Sequence, residues 1–289
     1  MADSGFLDLP PRSVKPRRAG LTHVLDKGIP LAELEPVLEL VGRYVDVWKL
    51  GWGTAYLDSR VGEKVAMLAA YDVLACVGGT LLEVAWAQGK AASCLGWAGE
   101  LGFPCVEVSN GAVGMPVADK RRLIAESARR FTVLAEVGAK DPAVPVSAAA
   151  WAAEMAGDLE AGASWAVAEG RESGTVGLYG PDGSVREDVV EAVVAGVGQG
   201  AIVFEAPHKH QQAWFIRRFG SDVGLGNVAA AEVLGLEALR LGLRADTVGL
   251  SRAGGPAMIG SRRGPAGGVR GTPGGSPGWS GSSPVGVPR

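Results

Sequence analysis

Apolar runs of strand length recur along this chain, and most stop abruptly at a glycine beside a carboxylate or a lysine. Asp26-Lys27-Gly28, Lys49-Leu50-Gly51, Glu136-Val137-Gly138, Glu169-Gly170-Arg171-Glu172-Ser173-Gly174 and Phe204-Glu205-Ala206-Pro207 share this form. Asp26, Glu107, Glu136, Glu169 and Glu205 all lie at or near such ends. In a closed barrel of parallel strands, carboxyl ends meet at one mouth, where active sites are built. Taken singly, each carboxylate is as readily explained as a salt bridge holding a loop. Together they would repel unless a cation or lysines neutralised them, and hard oxygen donors that retain waters suit Mg²⁺.

Lys27, Lys49, Lys140, Arg171 and Lys209 end or follow the same runs. A lysine crowded by other cations in a closed pocket has its pKa lowered and can move protons. Arg171 offers a planar fork for carboxylate, phosphate or sulfonate. Lys49 sits inside the apolar stretch Val45–Trp52, where an unpaired ammonium would be costly. Gly51-Trp52-Gly53-Thr54, Gly78-Gly79-Thr80 and Gly224-Leu225-Gly226-Asn227 read as glycine-rich turns whose N–H groups can approach an anion. His208-Lys209-His210 reads as a helix start. The tryptophans read as packing, except Trp52, which two glycines flank.

The elements that must position these groups alternate strand with helix. Candidate strands are 21–26, 45–50, 73–77, 105–109, 132–137, 164–169, 201–205 and 222–225. Between them, Leu31, Leu34, Leu38 and Val41 recur at helical spacing. Ser184-Val185-Arg186-Glu187 carries a capping-box pattern, and Pro30, Pro116 and Pro142 stand where helices begin. The connection from Leu81 to Gly102 is long enough for a broken helix. Eight strands with charge at their ends throughout favour a single (β/α)8 TIM barrel over an open doubly wound sheet.

Bulk properties agree. The chain has 289 residues, 47% of them hydrophobic, which is ample for one barrel core. Its net charge of −3 does not suggest nucleic acid, and no apolar run is long enough to cross a membrane. Residues 1–19 read as an N-terminal arm without a secretory core, 20–251 as the catalytic barrel, and 252–289 as a disordered tail. The tail holds twelve glycines, six prolines and five arginines and cannot bury enough surface to order itself. Without it, 23 basic residues face 31 acidic ones, a balance of −8. Any anionic substrate must therefore be gripped by local cations. Cys76, Cys94 and Cys105 lack metal-ligand spacing and read as free thiols in a reducing cytoplasm.

Taken in order, these segments resemble phosphosulfolactate synthases. The resemblance runs over about residues 20–249, from Leu21–Gly28 through Lys49–Thr54, Gly78–Glu83, Glu107–Gly111, Glu136–Gly138, Glu169–Gly174, Phe204–Pro207 and Lys209–Gln212 to Leu239–Thr247. It implies a Mg²⁺-dependent barrel that adds sulfite to phosphoenolpyruvate, giving 2-phospho-3-sulfolactate, on a route of the coenzyme M type. By similarity to the family's lysine after its Glu-Val-Gly strand, Lys140 is the expected general acid, with Lys49 and Glu136 in the catalytic set. Glu107, Glu169 and Glu205, with Glu136, are the expected ligands of the metal or its waters. Lys27, Arg171, Ser173, Gly226 and Asn227 are the expected substrate contacts. A cytoplasmic homo-oligomer acting on small molecules is expected. The chain departs from the family pattern at Asn110, where an aspartate is usual, at Ala139 beside Lys140, and at Ala55. Two alternatives accompany this reading: addition of another nucleophile to phosphoenolpyruvate, and the non-catalytic role considered for plant heat-stress-associated members of the same family.

Overall fold

A computed structural model describes residues 6–141, 143 and 147–250. Eight parallel strands close in sequence order: β1 Thr22–Asp26, β2 Val47–Leu50, β3 Leu74–Val77, β4 Cys105–Val108, β5 Thr132–Val137, β6 Trp165–Ala168, β7 Ile202–Glu205 and β8 Gly224–Val228. The helices are α1 Leu31–Val41, α2 Thr54–Leu57, α3 Val61–Ala70, α4 Gly79–Ala87, α5 Ala91–Glu100, α6 Val117–Ser127, α7 Ala148–Glu160, α8 Glu187–Val197, α9 Lys209–Phe219 and α10 Val233–Arg240. This is the expected (β/α)8 barrel, including the broken helix after β3. Among the described residues, no helix is long and apolar enough to cross a membrane. The expected tail at 252–289 and the helix start at Pro142 lie outside the described residues.

Side chains alternate across each strand, and that alternation divides the core in two. Leu21, Val47, Cys76, Cys105, Leu134, Val167 and Val203 fill the barrel. Val24, Trp48, Leu50, Val77, Val106 and Phe204 face outward beneath the helices. On α1, Leu34, Leu38 and Val41 are buried at spacings of four and three, the stripe that seats a helix on the sheet.

The N-terminal arm packs on the amino ends of the strands. Arg12 pairs with Asp222 at 2.7 Å and with Glu237 at 3.1 Å, and Arg17 pairs with Asp46 at 3.1 Å. Trp165 Nε1 donates to Arg18 O at 3.0 Å.

Three local expectations are corrected. β8 begins two residues later than expected and runs through Gly224-Leu225-Gly226-Asn227, so this segment is strand, not turn. Its glycines serve packing: a Cβ at Gly226 would lie 2.8 Å from His23 Nδ1 and 3.0 Å from Val203 Cγ1. The capping box at Ser184 does not form, because Ser184 Oγ donates to Asp182 Oδ1 and α8 begins at Glu187. A capping box does open α9, between His208 and Gln211.

Candidate active site

The barrel's inward side chains reach its mouth two residues beyond the apolar layer. Val47 is followed by Lys49, Cys105 by Glu107, Leu134 by Glu136, Val167 by Glu169, and Val203 by Glu205. Each step of two keeps the side chain on the inner face, so five charged groups meet above one apolar floor. They line a cavity of about 340 Å³ together with Lys140, Arg171 and Asn227.

Lys49 Nζ lies 2.9 Å from Glu107 Oε2, 3.2 Å from Glu205 Oε1 and 3.6 Å from Glu136 Oε2. Lys140 Nζ lies 2.9 Å from Glu136 Oε1, 3.3 Å from Glu83 Oε1 and 3.9 Å from Glu169 Oε2. The lysines are thus crowded by anions, not by cations, and the expected lowering of their pKa is reversed. Burial alone would lower Lys49, but Glu107, Glu205 and Glu136 outweigh it and hold the ammonium well above its ordinary value. Burial likewise opposes, and Glu136, Glu169 and Glu83 raise, the pKa of Lys140.

The carboxylates separate in the opposite way. Burial pushes Glu107 up to about 7 against the pull of Lys49. Burial, then Glu136 and Glu205, push Glu169 well above the usual range. Burial would raise Glu136 too, yet Lys140 and Lys49 hold it below that range. Lys49 and Lys140 offset part of the repulsion among these carboxylates, and burial with its acidic neighbours favours the protonated form of Glu169.

Glu136, Glu169 and Glu205 each offer an oxygen within 4.8 Å of the others. Glu136 Oε1 and Glu169 Oε2 are buried without a hydrogen bond of good geometry. Three buried carboxylate oxygens brought together in this way fit Mg²⁺. This triad includes Glu136 and leaves Glu107 to Lys49 and to Gly79 N, which donates to Glu107 Oε1 at 3.0 Å.

Backbone strain gathers at the rim. Among the described residues, Trp52, Asp72, Arg171 and Asn227 are the non-glycine residues with positive φ, and three of these four line the cavity. Such conformations cost energy and persist where the surroundings enforce them. At Arg171 the enforcement is visible: its N–H donates to Glu169 Oε1 at 2.7 Å and Glu205 Oε2 at 2.9 Å. Its guanidinium donates to Lys140 O at 3.1 Å. Asn227 Oδ1 is buried and unpaired.

Other expected contacts sit further out. Lys27 Nζ lies over the exposed ring of Trp52, 5.1 Å from its centroid, at the rim. Ser173 and Gly226 do not line the cavity. The Ser173 hydroxyl accepts from Thr175 Oγ1, and its carbonyl faces His208 Nε2 at 2.9 Å. Lys209 pairs with Asp246 at 3.0 Å, away from the mouth.

Asp26 is a correction. It shares the outward face of β1 with Val24 and never reaches the mouth. Trp48 Nε1 donates to it at 2.9 Å, Gly28 N and Ile29 N at 2.7 Å, and buried Lys64 at 3.3 Å. It anchors the loop that carries Lys27. The departure at Asn110 also stays outside the cavity lining, with Asn110 Nδ2 donating to Met115 O at 3.3 Å. Glu83 escaped the sequence analysis as a functional group because it lies on α4 and not at a strand end. Its one signal was its place at the close of Gly78–Glu83.

A closed parallel barrel whose inward strand ends carry opposed lysines and glutamates is a (β/α)8 protein of the enzyme kind. The chain belongs to the (2R)-phospho-3-sulfolactate synthase (ComA) family, whose model matches residues 10–246. It is 42% identical over 246 residues to the phosphosulfolactate synthase of Methanothermobacter thermautotrophicus, covering 83% of this chain and 95% of that protein. It is 36% identical over 244 residues to the phosphosulfolactate synthase of Bacillus subtilis, covering 83% and 97%. Among solved structures, a putative deoxyribose-phosphate aldolase from Toxoplasma gondii aligns with a TM-score of 0.50 at 12% identity, over 76% of this chain and 94% of that one. That likeness is one of fold alone.

Proposed function

We propose that the chain adds sulfite to phosphoenolpyruvate, with Mg²⁺, to give 2-phospho-3-sulfolactate. The observation that carries this reading is a single mouth, in a chain of this family, where Lys49 and Lys140 stand among Glu107, Glu136, Glu169 and Glu205. The sulfur lone pair attacks the methylene carbon and forms the C–S bond. The double-bond electrons move toward C2 and the substrate carboxylate, where an enediolate-like charge develops. Proton delivery to C2 completes the addition, and no group leaves.

Glu136, Glu169 and Glu205 would hold the metal, which would supply positive charge beside the substrate carboxylate. Lys49 is fixed by three carboxylates and stays charged, so its field is preorganised where negative charge grows. Lys140, at the outer edge and partly exposed, is placed to deliver the proton. Arg171 faces the cavity as an anion partner and Asn227 as a hydrogen-bonding group, and Lys27 stands at the rim to meet an incoming phosphate.

Purified protein incubated with phosphoenolpyruvate, sulfite and Mg²⁺ is expected to consume phosphoenolpyruvate only when all three are present. Phosphorus NMR is expected to show one new phosphate ester. Consumption with another nucleophile but not with sulfite would replace the substrate. No consumption with any nucleophile would sink the enzymatic reading. Lys140→Ala with ordinary turnover would remove the acid assignment.

A further inference from the structure

We propose that Glu83 is a positioning residue for this reaction, tethering Lys140 from a side that the carboxylate triad does not reach. The inference rests on the role given to Lys140 above. Glu83 lies on α4, outside the barrel, and is fully buried. Its Oε2 accepts from Ala112 N at 2.7 Å and Val113 N at 3.0 Å. Its Oε1 accepts from Ser109 Oγ and, at 3.3 Å, from Lys140 Nζ. One carboxylate therefore joins the connections that follow β3, β4 and β5, and four donors compensate its buried charge.

The other two carboxylates near Lys140 have a different fate. Glu136 and Glu169 both belong to the triad. A cation seated there would draw on their oxygens and weaken their hold on the ammonium. Glu83 stands outside the triad and keeps its grip. Without it, Lys140 has only Glu136 and Glu169 to turn to, and would fold down over the metal ligands and away from the substrate carbon.

Glu83→Gln separates this role from a purely structural one. The amide oxygen can still accept from Ala112 and Val113, whereas the amide nitrogen cannot accept from Lys140. We expect kcat to fall about 10- to 100-fold, the cost of a displaced catalytic group, with KM for phosphoenolpyruvate within about threefold of the original. In a Lys140→Met background the same change is expected to cost nothing further. A urea-denaturation cycle over Glu83→Gln, Lys140→Met and the double variant is expected to be non-additive. Equal kcat losses in both backgrounds, or additive shifts in the urea midpoints, would overturn the tether. If Glu83→Gln does not fold, Glu83→Asp keeps the charge, retracts it by one methylene and carries the same cycle. If the unsubstituted protein fails to turn over sulfite, the proposed function falls, while the denaturation cycle still decides whether Glu83 holds Lys140.

Discussion

Lys49 Nζ on β2 lies 2.9 Å from Glu107 Oε2 on β4, spanning β3 at the mouth of the barrel. Gly78, the residue after β3, packs closely on β2 beside this crossing: a Cβ there would lie 2.9 Å from Leu50 O. One ammonium therefore holds carboxylates from three strands, and the rim closes electrostatically as well as through the sheet.

Replacing that ammonium takes the cation away from buried Glu107 and Glu205 and leaves Glu136 with Lys140 alone. Lys49→Met is expected to destabilise the fold by about 3–5 kcal/mol, the usual cost of breaking a buried pair from one side. Urea denaturation measures this. Turnover is expected to be lost even where the variant stays folded.

Stability in the absence of metal is expected to fall as pH rises from about 5 to about 8. The folded protein keeps a proton on Glu107 up to about pH 7, from an ordinary value of 4.5, and Glu169 is shifted the same way. Between those limits the folded chain binds more protons than the unfolded one, so raising pH favours unfolding. Glu136 runs the other way, its contribution present above the ordinary carboxylate value and lost in acid. Urea midpoints at pH 5.5 and pH 8 check the sign. Midpoints that rise with pH would contradict the rim electrostatics.

Mg²⁺ binding is expected to release a proton and to tighten with pH, because burial and neighbouring carboxylates favour protonated Glu169 and a bound cation favours its ionised form. Calorimetry in buffers of different ionisation enthalpy reads that proton directly. Glu169→Gln is expected to weaken binding about tenfold or more, whereas Glu107→Gln, outside the triad, is expected to weaken it less.

Gly226→Ala is expected to cost about 1–3 kcal/mol through overpacking against His23 and Val203, with turnover reduced only as far as folding is. A fully stable Gly226→Ala would show that the barrel interior at β8 has slack. Asp26→Ala is expected to be costly as well, because it leaves Trp48 Nε1 without its buried acceptor and Lys64 with only Asp58 and Ile29 O. Its effect on phosphoenolpyruvate is expected in KM, through the loop that carries Lys27.

Much of this protein was settled locally. Strand ends, helix stripes and the count of eight follow from short-range alternation, and a parallel barrel is the structure in which charged strand ends do useful work together. The step of two from Val47 to Lys49, or from Leu134 to Glu136, is legible because a pleated strand repeats every two residues. Asp26 defeated that reading because β1 is buried on both faces, so its sequence carries no contrast between inside and outside. β8 slipped because glycine has no side chain to mark a face. Tertiary structure alone decided which charges touch: that Lys49 spans β3, that Glu136 joins Glu169 and Glu205, and that a helical Glu83 reaches Lys140. Those distances exist only once the sheet closes, and closure also reversed the expected lysine shifts by surrounding Lys49 with carboxylates from three other strands and adding Glu83 and Glu169 to Glu136 around Lys140.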